Sequence, residues 1–157
     1  MNDDDIEAAV ARAFAYVPRP ERFTPREHCE ECGGHDETLR RFDPATIGLE
    51  QLGNSGHDPL CCATPEAFRY YFPALVRLAL ETGSGPSSYL GSFLFHVLHD
   101  GENRPAFRRF SPCQRGPVLA VLRHVRDAKP TAVEAWALQS ELEEAITLWA
   151  GLAGEAE

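Results

Sequence analysis

The segment Cys29-Glu30-Glu31-Cys32-Gly33-Gly34-His35 carries three groups able to share one soft metal ion. Zinc prefers tetrahedral sulfur and nitrogen donors, and a Cys-x2-Cys pair supplies two thiolates from one turn of chain. Gly33, directly after the second cysteine, can take the left-handed conformation that turns backbone amides toward thiolates. His35 follows at a second two-residue gap, which makes Cys29, Cys32 and His35 the first three candidate ligands of a structural zinc. His28 stands beside Cys29 and ranks lower, because adjacent residues rarely both reach one ion. The fourth ligand must come from elsewhere. The loop before Thr64 offers His57, Asp58, Cys61 and Cys62, and the two thiols suit a soft ion best. A metal there would clamp together two irregular stretches, within residues 24–62, that bury little apolar surface of their own.

Two other uses of the pair compete with a metal. Reduced cysteines with no special role are the first. The second is a redox dithiol, which is disfavoured because no βαβ pattern surrounds the pair and because Glu30 and Glu31 should raise the thiol pKa values. Elsewhere, His96 and His99 lie three apart on an expected helix, with Asp100 and Glu102 just beyond. A helix end with polar caps accounts for them more simply than a second metal site. Cys113 sits early in a helix, but no base can be assigned to it from sequence, and His124 reads as a helix-surface residue. No Gly-rich phosphate loop, nucleophile elbow or His-Glu-x-x-His helix occurs in the chain.

The elements that position these groups read as helices. Ile6, Val10, Phe14 and Val17 repeat at near-helical spacing behind three aspartates, predicting a helix over 4–17 that Pro18 and Pro20 end. Thr24-Pro25-Arg26-Glu27 matches a capping box, predicting a short helix that carries Cys29 and Cys32 until Gly33-Gly34 stops it. Asp43-Pro44 opens another short helix through Leu52, and 54–59 reads as loop. Thr64-Pro65 starts a helix with Phe68, Phe72, Leu75 and Ala79 on one face and a kink at Pro73. Ser87 or Ser88 begins the next, with Leu90, Phe93, Leu94, Val97 and Leu98 inward. Ser111-Pro112-Cys113-Gln114 is a second capping box, with Pro117 troubling its first turn. Thr131-Ala132-Val133-Glu134 is a third, and opens what should be the longest helix, striped by Leu138, Leu142, Ala145, Trp149 and Leu152.

No run of β-branched residues alternates in period two. The expected fold is therefore all-α: a compact single-domain bundle over 1–157 of about five to seven helices, several short, with long irregular loops in the N-terminal half. A chain of 157 residues with 43% hydrophobic and 25% charged residues can bury a core of its own. The net charge of −9 argues against nucleic acid and anionic membrane as partners. Arg104, Arg108 and Arg109, and the adjacent Arg40 and Arg41, are read as solvated helix faces. The acidic Met1-Asn2-Asp3-Asp4-Asp5 start lacks the features of a secretory signal, and no apolar run can span a bilayer, so a cytoplasmic location is expected. Lys129 is the only lysine among otherwise arginine cations, a composition typical of high-GC bacterial genomes.

Thr64-Pro65-Glu66-Ala67-Phe68-Arg69-Tyr70-Tyr71-Phe72-Pro73-Ala74-Leu75, with the earlier Cys29-Glu30-Glu31-Cys32 and Asp58-Pro59, resembles a family of small uncharacterised bacterial proteins. These share a Thr/Ser-Pro-Glu-x-Phe-x-Tyr-Tyr-x-Pro helix and, in some members, an upstream Cys-x2-Cys-x2-His. The resemblance spans roughly residues 25–80, with a weaker echo at Ser111-Pro112-Cys113-Gln114. It implies a shared fold and no activity.

The residues together favour a binding or interaction protein with a structural zinc over an enzyme. A protein partner is possible but unidentified, and a homo-oligomer is not indicated. One rival is a metal-dependent enzyme whose zinc keeps an open position, with Glu30 or Glu31 as general base. The other is a metal-free helical interaction or immunity-type module using the Phe68–Phe72 surface.

Overall fold

The computed structural model describes residues 1–99 and 109–155, and among these it is helical throughout, with no strand. Among the described residues eight α-helices run in the order α1 (Asp3–Phe14), α2 (Glu30–Arg40), α3 (Leu49–Leu52), α4 (Pro65–Thr82), α5 (Leu90–Leu98), α6 (Pro112–Ala128), α7 (Pro130–Ala135) and α8 (Gln139–Ala153). Two 3-10 turns, Ser55–His57 and Pro59–Cys62, join α3 to α4. Asp100, Glu102, Arg104 and Arg108 lie outside the described residues.

The centre of the fold is α4. Thr64 caps it, its hydroxyl accepting from the Ala67 N–H at 3.1 Å, and Pro65 fills the first turn, where a missing N–H costs nothing. Pro73 lies inside this helix and forfeits the bond to the Arg69 carbonyl, a cost of about 3 kcal/mol in an isolated helix. Burial offsets it, since Tyr71, Phe72, Ala74, Leu75 and Val76 on either side are wholly enclosed. Phe72 stacks on Phe14 of α1 at 5.0 Å between centroids and meets Phe110 edge-on at 5.2 Å. Phe68 joins the same cluster at 6.0 Å from Phe110. The aromatic run is thus core, with only Arg69 and Tyr70 half-exposed, and the interaction surface once conceivable at Phe68–Phe72 is folded inward.

Around α4, α1 packs against both α4 and α6, while α8 packs against α5 and α6. Gln114 ties three of these together: its Oε1 accepts from Arg69 Nε at 2.9 Å and from the Ser111 N–H at 3.0 Å, and its amide donates to the Ala13 carbonyl at 3.2 Å. Trp149 of α8 donates its indole N–H to the Val97 carbonyl at 2.9 Å. His124 is not a surface residue: its side chain is buried between helices and meets Asp3 at 2.7 Å, beside Lys129 at 2.5 Å from the same carboxylate.

Three local expectations fail for identifiable reasons. Thr24 does not cap a helix at 25–28; its hydroxyl is buried and donates to the Cys32 carbonyl at 2.5 Å, leaving 25–28 a turn. The helix instead starts at Glu30 and runs through Gly33 and Gly34, because Asp36 and Leu39 beyond them are fully buried and hold the segment helical. Each glycine costs about 1 kcal/mol there. Asp43 folds back on the Ala45 and Thr46 N–H groups as a turn, so only Leu49–Leu52 is helical in that stretch. Finally, the expected long C-terminal helix is broken. Ala137 takes φ 53°, splitting it into α7 and α8, and α4 with 18 residues is longer than either.

Candidate metal centre

Cys29 is the N-cap of α2. Its backbone is extended (φ −163°, ψ 168°) and its Sγ accepts from the Cys32 N–H at 3.4 Å, the role a serine or aspartate usually fills. This aims both sulfurs at one point, 3.3 Å apart. His28 Nδ1 lies 3.7 Å from Cys32 Sγ, so the residue ranked lowest by adjacency sits with the pair. Because Cys29 stands outside the helix and His28 precedes it on a turn, neighbours in sequence face the same space. The thiol of Cys62, from the Pro59–Cys62 turn, lies beside Cys32.

The turn is held firmly. Asp36, with no solvent exposure, accepts from the Phe23 and Thr24 N–H groups at 2.9 and 3.2 Å and from Arg40 Nε at 2.6 Å. Arg26 reaches the same carboxylate at 3.4 Å. Thr24 then bonds the Cys32 carbonyl, and Thr64 bonds back to the Arg22 and Phe23 carbonyls at 3.1 and 2.8 Å. Residues 22–28, the first turn of α2 and the cap of α4 therefore form one unit.

The electrostatics of the two thiols diverge. The Cys32 N–H donating to the sulfur, then His28, then the Cys32 thiol, bring the Cys29 pKa down to about 7. The expected influence of Glu30 and Glu31 is outweighed by this N-cap geometry. Cys32 moves the opposite way, up to about 12, through the Cys29 thiol first, then burial, then Cys62. Thiols crowded this closely resist a second ionisation unless a cation shares them.

His35 goes elsewhere. Since α2 continues through the glycines, its buried ring is carried to Glu31, 3.4 Å away, and packs on His57 at 4.6 Å between centroids. Glu31, His35 and His57 form a second, looser group. The adjacent thiols Cys61 and Cys62 separate in the same way: Cys62 turns to Cys32, and Cys61 groups with Asp58 and His96. Sequence reasoning missed this last partnership. Asp58 Oδ2 meets His96 Nε2 at 2.7 Å with both side chains buried, while Oδ1 caps the Leu60 N–H at 2.9 Å. The available signal was Asp58-Pro59 as a turn cap facing a histidine on the apolar stripe of a helix. His99 stacks on Phe95 instead, and Cys113 is exposed beside Ser111. No disulfide joins any two of the five cysteines.

Among the described residues no helix is long and apolar enough to cross a membrane. No curated protein and no solved structure matches the chain. One family profile does, over residues 2–152 and thus nearly the whole length. The chain belongs to DUF6714, a family of unknown function.

Proposed function

We propose that this protein carries one structural zinc ion held by His28, Cys29, Cys32 and Cys62, and that it serves as a cytoplasmic binding protein rather than as an enzyme at that centre. The grouping of the Cys29 and Cys32 thiols with the His28 imidazole, with the Cys62 thiol beside Cys32, carries the reading. Tetrahedral zinc at ~2.3 Å from sulfur and ~2.0 Å from nitrogen needs sulfurs about 3.8 Å apart and a sulfur–nitrogen spacing of about 3.5 Å. The observed 3.3 and 3.7 Å are within half an ångström of those values. Four protein donors close the coordination shell and leave no position for substrate. Glu31 turns to His35 and His57, which removes the nearest general base from the centre.

The metal would reinforce the packing of the 3-10 turn on the N-terminal part of α2, where Leu60 is already buried. Elemental analysis of protein purified without a metal-affinity column is the test. One equivalent of zinc is expected, lost in Cys29→Ser and in Cys62→Ser with a drop in thermal stability. Under a tenth of an equivalent, with Cys29→Ser as stable as the parent, would overturn the reading.

A further inference from the structure

The group Asp58, Cys61 and His96 stands apart from the centre just described. Their donor atoms lie within 4.8 Å of one another. A zinc-class ion needs such donors about 3.3–3.6 Å apart, so Asp58 and His96, now 2.7 Å apart, would open slightly to admit it, a change that side-chain rotation can supply. Asp58 and His96 come from the Pro59–Cys62 cap and from α5, 38 residues apart in sequence, and both are almost sealed from solvent. Burying a carboxylate against an imidazole carries a desolvation cost that a simple cap of the Leu60 N–H does not require.

Two further observations point to a ligand. The three residues line one wall of a cavity of about 400 Å³, completed by Phe95, Trp136 and Leu138. That volume suits a small molecule. Beside the cluster, the Tyr89 hydroxyl is buried without a hydrogen-bond partner. Asp58 and Cys61 lie close enough to act on it electrostatically, and Tyr89 itself lines a neighbouring hollow that shares Ser88 with this cavity. The break at Ala137 bears on the same place, since it sets Trp136 and Leu138 over the cavity from either side of a left-handed residue.

We infer that Asp58, Cys61 and His96 form a second, three-ligand site for a divalent transition ion, with its open position facing this cavity and taking a small carboxylate on an apolar body. Three donors of mixed hardness with a vacant fourth position are the composition of metal sites that bind exogenous ligands. The carboxylate preference comes from the lining of the cavity. Gly91 and Ser92 of α5 lie in its wall, where first-turn amides and the positive end of the helix dipole favour an anionic oxygen. Phe95, Trp136 and Leu138 supply the apolar remainder.

The site is independent of the zinc centre, and cobalt(II) titration separates the two. The intact protein should take up two equivalents, both with thiolate charge-transfer absorption. Cys29→Ser/Cys62→Ser should retain one, with the weaker band of a single thiolate. His96→Asn and, as a second variant, Asp58→Asn should each lose that one and keep the other. Benzoate should shift the visible bands of the Cys29→Ser/Cys62→Ser protein and leave those of His96→Asn unchanged. Retention of two equivalents in both His96→Asn and Asp58→Asn, or uptake of none by Cys29→Ser/Cys62→Ser while His96→Asn still binds one, would overturn the site. Bands indifferent to millimolar benzoate would overturn its open, carboxylate-binding position.

Discussion

Asp36 and Arg40 meet at 2.6 Å across one turn of α2, and the carboxylate has no contact with solvent. Burial alone would push this carboxyl up, but the bonds from Arg40 and from the Phe23 and Thr24 N–H groups outweigh it and leave its pKa below the ordinary value. A group depressed in the folded state stabilises fully above its unfolded value, about 3.9, and loses that contribution as pH falls through the folded value. Asp36→Asn should therefore lower stability by roughly 1–3 kcal/mol at pH 7. The difference between the two proteins should shrink as pH falls below about 3.9. Urea unfolding at pH 7, 4 and 3 measures it, and a difference that stays constant across that range would show that the carboxylate charge contributes nothing.

Tyr71 fastens α4 to the end of α2. Its hydroxyl lies 2.5 Å from the Leu39 carbonyl and 2.8 Å from that of Phe42, and the ring is fully buried. Tyr71→Phe keeps the ring and removes two hydrogen bonds, while Arg19 still reaches the Phe42 carbonyl and the Phe42 N–H the Leu39 carbonyl, so a loss of about 0.5–1.5 kcal/mol is expected by chemical denaturation. A loss under a few tenths would mean that water replaces the hydroxyl.

Ala137 holds φ 53° with a Cβ, a conformation that costs a non-glycine residue about 1–2 kcal/mol. Ala137→Gly removes the strain and adds unfolded-state entropy, with a net gain of about 0.5–1 kcal/mol expected. A raised melting temperature with unchanged helical circular dichroism is the expected readout. A destabilised variant would show that the Cβ contributes packing that outweighs its strain.

In metal-free protein near neutral pH, Cys29 should alkylate well before Cys32. Its pKa lies at about 7 and it is exposed, whereas Cys32 is buried with its pKa raised to about 12. Peptide mapping after brief iodoacetamide treatment, with Cys113 as an exposed internal reference, reads the order. Zinc added beforehand should protect Cys29 while leaving Cys113 reactive.

The bundle was legible because its cues are local. Ile6, Val10 and Phe14 behind acidic residues, Thr64-Pro65 before an apolar stripe, and Ser111-Pro112 with Gln114 each specify a helix from adjacent residues, and each helix is present. Cys29 and Cys32 were legible as a pair for the same reason. Their surroundings were not. Whether Gly33-Gly34 ends α2 depends on the burial of Asp36 and Leu39, which long-range packing decides. That single point carries His35 away to Glu31, while the extended N-cap position of Cys29 is what brings His28 in. The Asp58–His96 contact depends on where α5 docks, and no spacing in the chain encodes it. Thr24 shows the limit most clearly, because its side chain satisfies a carbonyl eight residues on rather than the helix its motif suggests.

The position of α1 also constrains the order of events on the ribosome. Its apolar stripe, Ile6, Val10 and Phe14, is covered by α4 and α6, and Asp3 pairs with Lys129 and His124 at the far end of α6. Once synthesised, α1 therefore lacks its full cover until residues 112–128 have followed. At about 5–20 residues per second, that leaves three large side chains partly uncovered for roughly 5–20 seconds of synthesis. The acidic first turn, Asp3-Asp4-Asp5, stands at the head of that stripe through the interval, a charge that opposes association between nascent chains.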